Sequence, residues 1–125
     1  MKKYTFPDNK KFAFTIFDDT DGATIGKIKP VYDLLYNLGF KTTKSVWPLS
    51  IKKYNLFSGQ TLQDEDYLKF ILDLKQKGFE IALHSVGSGF YTRGEIIQGL
   101  EEYKSKLGEY PKIHVNHSRN HDNIY

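Results

Sequence analysis

The stretch Phe12-Ala13-Phe14-Thr15-Ile16-Phe17-Asp18-Asp19-Thr20-Asp21-Gly22 joins a mostly apolar run to three acids and a glycine. The apolar part is too short for a helix and is rich in aromatic and β-branched residues, so it predicts a buried strand over residues 12–17. Carboxylates at the C-terminal end of such a strand lie where parallel α/β sheets and barrels place their active sites. Neighbouring carboxylates repel one another unless a cation or a proton lies between them. The alternative is a plain acidic turn in which Asp18 or Asp19 caps the next element.

The rest of the chain alternates helices with strands. A proline in a first turn, apolar residues at helical spacing, capping-box pairs and glycine stops mark three helices. We predict four strands, over residues 12–17, 40–46, 79–83 and 112–116. The first helix is expected from Pro30 to Gly39, with Val31, Leu34, Leu35 and Leu38 at helical spacing. The second is introduced by Thr61 and Asp64 and ended by Gly78, and the third is introduced by Thr92 and Glu95 and ended by Gly108. Strict alternation predicts an α/β fold of βα units with parallel strands.

Parallel strands end at one edge of a sheet, and this brings distant residues together. The acids after the first strand, His84 after the third and His117 after the fourth are therefore expected at one rim. Imidazole and carboxylate groups together suit a divalent ion such as zinc, which polarises a carbonyl and lowers the pKa of a bound water. One aspartate would bind the ion while its neighbour takes a proton from the water. Arg119 would hold an aspartate or a substrate oxygen by a bidentate contact.

Structural explanations compete with this interpretation of the histidines. A histidine at the end of an apolar strand, as His84 is, can be an ordinary core residue, and His117, Arg119 and His121 can belong to a solvated polar tail. Ser85 and a glycine-containing loop directly follow His84, and they favour a functional role for it.

Length and composition limit the remaining possibilities. With 125 residues, 39% apolar and 15% aromatic, the chain is expected to form a single domain over 1–125 with a real core. Its net charge of +3 comes from scattered lysines that form no basic face, which argues against a nucleic-acid partner. The absence of cysteine excludes disulfides and cysteine metal ligands. The sequence has no apolar leader and no run of membrane length, so we expect a cytoplasmic protein without a membrane partner.

Two motifs resemble those of the polysaccharide deacetylases, the NodB-homology carbohydrate esterases. Phe14-Thr15-Ile16-Phe17-Asp18-Asp19, followed by Gly22, is similar to their first motif, Thr-Phe-Asp-Asp-Gly, and Glu80-Ile81-Ala82-Leu83-His84-Ser85 is similar to the start of their second, His-Ser/Thr-x-x-His. The resemblance implies a deformed (β/α)7 barrel, of which residues 12–117 would form the first half. It also implies metal-dependent removal of acetyl groups from a carbohydrate. By the same resemblance, Asp18 would be the catalytic base, and Asp19 and His84 would be metal ligands.

The sequence departs from the family's pattern at three places. Thr20 and Asp21 stand between the aspartate pair and Gly22, Ser88 stands where a second metal histidine is expected, and Asn116-His117-Ser118-Arg119 stands in place of an Arg-x-Pro motif. The expected rim geometry makes His117 or Asp21 the candidate for the remaining ligand. Asn116 and Arg119 are the residues expected to contact the carbohydrate.

The resemblance covers about half of the family's barrel. We therefore expect a domain that is incomplete at its C-terminus, or a homo-oligomer that covers the exposed edge of the sheet. Asp19-Thr20-Asp21-Gly22 also resembles the Asp-x-Asp-Gly motif of haloacid-dehalogenase-like phosphatases, in which Asp19 would be the nucleophile, Asp21 the acid/base and magnesium the ion. An Asp-x-Asp glycosyltransferase site and a degenerate, non-catalytic carbohydrate-binding domain are further alternatives.

Overall fold

The computed structural model describes residues 6–52 and 57–120, which contain four strands and three α-helices after a short 3-10 turn at Pro7–Asn9. In chain order the elements are β1 (Phe17–Asp18), α1 (Ile25–Asn37), β2 (Thr43–Val46), α2 (Glu65–Gln76), β3 (Glu80–His84), α3 (Arg93–Leu107) and β4 (His114–Val115). The predicted alternation of strands and helices is confirmed. Within these described ranges, no helix is both long enough and apolar enough to cross a membrane.

The strands form one parallel sheet in which neighbours in space are also neighbours in the chain. The order is β1-β2-β3-β4, and every adjacent pair is parallel. The sheet curls as a half-barrel with helices in the connections, which confirms the α/β class predicted from the sequence. A doubly wound sheet would instead place β1 between other strands. In register, Asp18 lies opposite Lys44, and His84 lies opposite Val115.

The core that holds the helices on the sheet is rich in aromatic side chains. Tyr32 of α1 meets Phe70 of α2 and Phe79 edge-on, with ring centroids 6.3 and 5.1 Å away. Tyr103 of α3 is buried and donates its hydroxyl proton to the carbonyl oxygen of Ile81 at 2.7 Å. Each such ring removes a large apolar area from water, and its polar tip is satisfied where it reaches a backbone carbonyl. This packing holds the helices against the sheet whose strand ends carry the candidate site.

The apolar run before the acids is not the buried strand that its composition predicts. Only Phe17–Asp18 pairs with β2, and the preceding Phe12 and Phe14 are 76% and 74% exposed. The reason is position: β1 is an edge strand, so within the described residues it has a partner on one side alone. An apolar run of this composition is buried when it forms a central strand that is covered on both faces. The prediction for residues 12–17 is therefore wrong in both length and burial.

Helix α1 begins earlier than predicted and buries only part of the predicted apolar set. It starts at Ile25, so Pro30 lies in its second turn, where the ring forfeits one backbone hydrogen bond. Tyr32 is the buried residue of this helix and the predicted Leu35 packs against the core, whereas Val31, Leu34 and Leu38 are each more than half exposed. The contact of Tyr32 with the core, rather than the spacing of the apolar residues, therefore determines which face of α1 is turned inward. An oligomer that covers the exposed edge stays a prediction.

The other three strands differ from prediction at their ends. β2 covers 43–46 instead of 40–46, β3 covers 80–84 instead of 79–83, and β4 covers 114–115 instead of 112–116. The β1–β2 and β3–β4 ladders each extend over two residue pairs, so apolar composition overstated the strand lengths there. One consequence concerns the site: His84 is the last residue of β3 rather than the first residue of the following loop.

Most of the helix ends follow their sequence signals. Thr92 and Glu95 form the predicted capping box of α3, in which each side chain accepts a hydrogen bond from the other residue's backbone N–H. At α2, Asp64 rather than Thr61 is the N-cap residue, although the Asp64 carboxylate accepts a hydrogen bond from the Thr61 N–H at 2.7 Å. The three predicted glycine stops all have a left-handed backbone, with φ values of 77°, 86° and 84° for Gly39, Gly78 and Gly108.

Gly99 lets α3 approach the loop after β3 closely. A Cβ at this position would lie 2.4 Å from Cγ1 of Val86, which is buried. We therefore expect Gly99→Ala to lower the free energy of unfolding by about 1–3 kcal/mol, the usual effect of overpacking a core, in urea unfolding followed by circular dichroism. Gly94→Ala, in the same helix, is the matched control because a Cβ there meets no atom of residues 6–52 and 57–120 within 4 Å. Equal effects of the two changes would contradict the close contact.

Candidate metal centre

Three side chains from three separate segments meet at the C-terminal rim of the sheet. They are Asp21 in the loop after β1, His84 at the end of β3 and His117 just after β4. One ligand atom from each lies within 4.8 Å of the other two, and both histidines are buried. This group could hold a metal ion. The predicted convergence of the acids, His84 and His117 at one rim is therefore confirmed.

The distances within the group are those of close polar contacts. His117 Nε2 lies 3.2 Å from Asp21 Oδ1, and His84 Nε2 lies 3.8 Å from the same oxygen. The two imidazole rings are 5.0 Å apart between centroids. The loop that carries Asp21 is anchored by the N–H of Gly22, which donates to the carbonyl oxygen of Ser58 at 2.7 Å. Backbone contacts of this kind let the loop after the edge strand reach over to the ends of β3 and β4.

Both histidines turn Nδ1 towards a backbone carbonyl. His84 Nδ1 is 3.3 Å from the oxygen of Val115, and His117 Nδ1 is 2.7 Å from the oxygen of Ser118. A carbonyl oxygen only accepts, so we assign the proton of each neutral ring to Nδ1, which leaves the lone pair on Nε2. The Gly89 N–H lies 3.2 Å from His117 Nδ1 and competes for that atom at the longer distance. Both Nε2 atoms are thereby prepared to bind a metal.

The facing atoms of this group require either a shared proton or a cation between them. With lone pairs on Nε2, His84 and His117 face Oδ1 of Asp21 at 3.8 and 3.2 Å, and such acceptors repel unless a proton or a metal ion separates them. Burial lowers the pKa of His84 below its ordinary value of 6.5; Asp19 and Asp21 oppose this shift, and a charge on His117 would add to it. The two Nε2 atoms and the carboxylate of Asp21 form a donor set that suits a divalent cation.

Aromatic side chains form one wall of the centre. Trp47 is fully buried and stacks on His84, with centroids 6.4 Å apart and an angle of 11° between the planes. Its ring also meets His117 edge-on at 5.6 Å, and Phe57 meets His117 from another direction at 5.3 Å. These contacts restrict rotation of both imidazoles. The rim is therefore pre-organised on its histidine side and acidic on the other.

Asp18 is engaged away from this group. Its Oδ2 accepts a hydrogen bond from the Tyr32 hydroxyl at 2.9 Å and lies 3.0 Å from Nζ of Lys44, which is fully buried. The contact with Lys44 is an ion pair between a buried ammonium and a partly exposed carboxylate. The Ser45 hydroxyl also donates to the carbonyl oxygen of Asp18 at 2.7 Å. Asp18, the predicted base, therefore contacts side chains of both β2 and α1.

The other predicted site residues lie around the group. Asp19 is not one of its three members, but its Oδ1 is 3.3 Å from His84 Nε2 and its side chain is 64% exposed. Asn116 and Arg119 flank His117 along the chain and are both exposed, so their role in substrate binding stays a prediction. Ser88 is buried in the loop between β3 and α3. His121 lies outside the described residues.

Sequence reasoning missed Lys44, the cation that pairs with Asp18. A signal was present, because a lysine within a predicted strand of a parallel sheet must be paired or must reach solvent. Asp21 was recognised only as one of two candidates for the remaining ligand. The spacing of the acids alone could not separate their roles, because the loop after β1 determines which carboxylate reaches the histidines.

No family model matches this sequence, and neither a curated protein nor a solved structure matches the chain. Similarity therefore assigns no family, and the resemblance to polysaccharide deacetylases remains a prediction carried by two short motifs. What can be argued about function comes from the side chains at the rim.

Proposed function

We propose that this chain is a metal-dependent hydrolase that removes acetyl groups from a carbohydrate, with Asp21, His84 and His117 holding its divalent ion. The main support is that two buried imidazoles and one carboxylate offer ligand atoms within 4.8 Å of one another at the C-terminal rim of a parallel half-barrel. Catalytic zinc sites use such sets of two imidazoles and a carboxylate and keep a coordination position open, so zinc is the ion that we propose.

The chemistry divides between the ion and the chain. A bound ion supplies Lewis-acid polarisation of an acyl carbonyl and lowers the pKa of a water. His84 and His117 present Nε2, and the carbonyl contacts at Nδ1 hold each ring in orientation. Trp47 packs against both rings and limits access of bulk water from that side. An aspartate beside the histidines accepts a proton from the attacking water.

The substrate class rests on the resemblance of the two motifs. Aspartates after strand one and a histidine at the end of strand three occur in the same order as in polysaccharide deacetylases, and the sequential strand order is typical of a barrel. In the phosphatase alternative, the two buried histidines beside Asp19 and Asp21 would have no catalytic or metal-binding role. An N- or O-acetylated sugar is therefore the substrate class that we propose.

Acetate release tests this proposal. The zinc-loaded protein is expected to release acetate from N- or O-acetylated oligosaccharides. His84→Ala removes one of the three ligands and Asp21→Asn replaces a charged ligand by a neutral amide, so each should lower kcat/KM by at least about 100-fold. Zinc content, measured by elemental analysis of the purified variants, should fall in parallel.

His114→Ala is the matched control for the histidine variant. His114 lies on β4 and is exposed, and it is not a member of the three-residue group. This change should leave kcat/KM within about threefold of the wild-type value, as surface changes usually do. Sugar binding without turnover would overturn the proposal in favour of a binding domain. Magnesium-dependent hydrolysis of a phosphate ester, lost in Asp19→Asn, would overturn it in favour of a phosphatase.

A further inference from the structure

We propose that the three aspartates after β1 have three separate tasks, and that Asp19 is the catalytic base of the hydrolase proposed above, on which this inference rests. Asp21 is the metal ligand, and Asp18 is the counter-ion of a buried lysine. The resemblance to polysaccharide deacetylases would instead make Asp18 the base and Asp19 the ligand. The contacts of the three carboxylates favour the new division.

Asp18 is poorly placed to take a proton. Its Oδ2 lies 3.0 Å from Nζ of Lys44 and 2.9 Å from the hydroxyl of Tyr32. The lysine side chain is 0% exposed, so the negative charge of Asp18 compensates a cation that has no access to water. A proton on Asp18 during the reaction would leave that ammonium buried without its counter-charge, which is among the most costly arrangements in a folded protein.

Asp21 is placed to bind the ion. Its Oδ1 is 3.2 Å from Nε2 of His117 and 3.8 Å from Nε2 of His84, so it faces both imidazole lone pairs at once. Its side chain is 26% exposed, compared with 64% for Asp19. Thr20 and Asp21 are two residues more than the deacetylase motif has between its aspartate pair and its glycine. They bring the carboxylate of Asp21, instead of that of Asp19, to the position between the histidines. Thr20 is itself fully buried, which anchors the loop between the two acids.

Asp19 lies beside the group but outside it. Its Oδ1 is 3.3 Å from Nε2 of His84 and accepts a hydrogen bond from the backbone N–H of Asp21 at 3.0 Å, which orients the carboxylate. Because 64% of the Asp19 side chain is exposed, a water and an acyl group can reach it. A general base must be oriented, close to the reacting water and free to gain a proton. Asp19 is oriented and exposed beside His84, whereas Asp18 is paired with a buried lysine.

The reaction balances with water as the only co-reactant. Asp19 accepts one proton from the water, whose oxygen forms a bond to the acyl carbon of the ester or amide. The bond from that carbon to the sugar oxygen or nitrogen then breaks, and the proton held by Asp19 passes to the departing atom. One water is consumed, and acetic acid and a sugar with a free hydroxyl or amine are formed.

Zinc affinity and turnover separate the three tasks. We expect Asp19→Asn to bind Zn²⁺ within about threefold of the wild-type affinity in calorimetric titration, yet to lose at least about 100-fold in zinc-dependent hydrolysis of 4-nitrophenyl acetate, the usual contribution of a general base. Asp21→Asn, the matched change two residues away, is expected to lose at least about 100-fold in Zn²⁺ affinity itself. Thermal unfolding of both variants without metal checks that each one folds.

Several outcomes would overturn this division. If Asp19→Asn loses as much zinc affinity as Asp21→Asn, Asp19 is a ligand and not the base. If Asp19→Asn keeps its turnover, the base lies elsewhere. If the wild type binds zinc but hydrolyses neither 4-nitrophenyl acetate nor acetylated sugars, the proposed function fails and the base role fails with it. In that case, the titrations still decide which aspartate binds the metal.

Discussion

Replacing Asp18 by asparagine is expected to lower the free energy of unfolding by about 3 kcal/mol, a large part of the stability of a small domain. The cause is Lys44, whose side chain is 0% exposed and whose Nζ lies 3.0 Å from Asp18 Oδ2. Asparagine keeps the shape of the side chain but leaves this buried ammonium without a counter-charge. The value lies at the low end for broken buried pairs, because Asp18 is 33% exposed and solvent screens part of the interaction.

Two further variants make this prediction specific to the ion pair. The double change Asp18→Asn with Lys44→Met should recover most of the lost stability, because an apolar replacement of a buried pair is often neutral. Asp33→Asn breaks the exposed pair with Lys29 and is the control, with an expected change below about 0.5 kcal/mol. Urea unfolding at pH 7 measures all three. A double variant less stable than Asp18→Asn alone would show that Lys44 stabilises the fold by another route.

The effect of Asp18→Asn should also depend on pH in a defined direction. Burial lowers the pKa of Lys44 below its ordinary value of 10.5, and the charge of Asp18 opposes this shift. The folded chain therefore releases the proton of Lys44 at a lower pH than the unfolded chain does, and this residue's contribution to stability rises with pH up to 10.5. Without Asp18 the pKa of Lys44 is lowered further. The difference in unfolding free energy between Asp18→Asn and the wild type should therefore become smaller as the pH rises towards 10.5.

The fold could be predicted from the sequence where the signals are local. The alternation of elements, the capping box at Thr92 and the glycine stops depend on backbone conformations that a few residues determine, and all are confirmed. The burial of residues 12–17 and of the predicted face of α1 could not be predicted, because burial depends on which elements lie against them. Phe12 and Phe14 have the composition of a central strand, but they precede a strand that lies at the sheet edge.

The candidate site could be predicted as a location but not as a set of roles. The parallel strands require His84 and His117 to lie near the acids, and the structure brings ligand atoms of both histidines and Asp21 within 4.8 Å of one another. The roles of Asp18, Asp19 and Asp21 depend on a lysine from β2 and on the path of a loop, neither of which is visible in the spacing of the acids. A short acidic motif therefore identifies a rim more reliably than it identifies a base or a ligand.

Zinc is expected to stabilise the folded chain strongly, and protons are expected to compete with it. At a free Zn²⁺ concentration 100 times the dissociation constant, the free energy of unfolding should rise by about 2.7 kcal/mol. This gain depends on deprotonated Nε2 atoms, so it is present above pH 6.5 and falls as the pH drops through the pKa of His84 in the folded protein. Because burial lowers the pKa of His84, its Nε2 stays available to a lower pH than that of an ordinary histidine.

The pH dependence also has a part that does not involve the metal. Without zinc, His84 in the unfolded chain takes up its proton near its ordinary pKa of 6.5, whereas in the folded chain it does so at a lower pH, so stability falls as the pH is lowered through that window. Thermal unfolding with and without Zn²⁺ from pH 5 to pH 8 separates the two contributions. If Asp21→Asn weakens binding about 100-fold, it should retain only about 0.4 kcal/mol of the gain at the same Zn²⁺ concentration, whereas His114→Ala should retain all of it. If zinc raised the unfolding free energy equally in the wild type, Asp21→Asn and His114→Ala, zinc would bind elsewhere. The Asp21, His84 and His117 side chains would then contact one another without a metal.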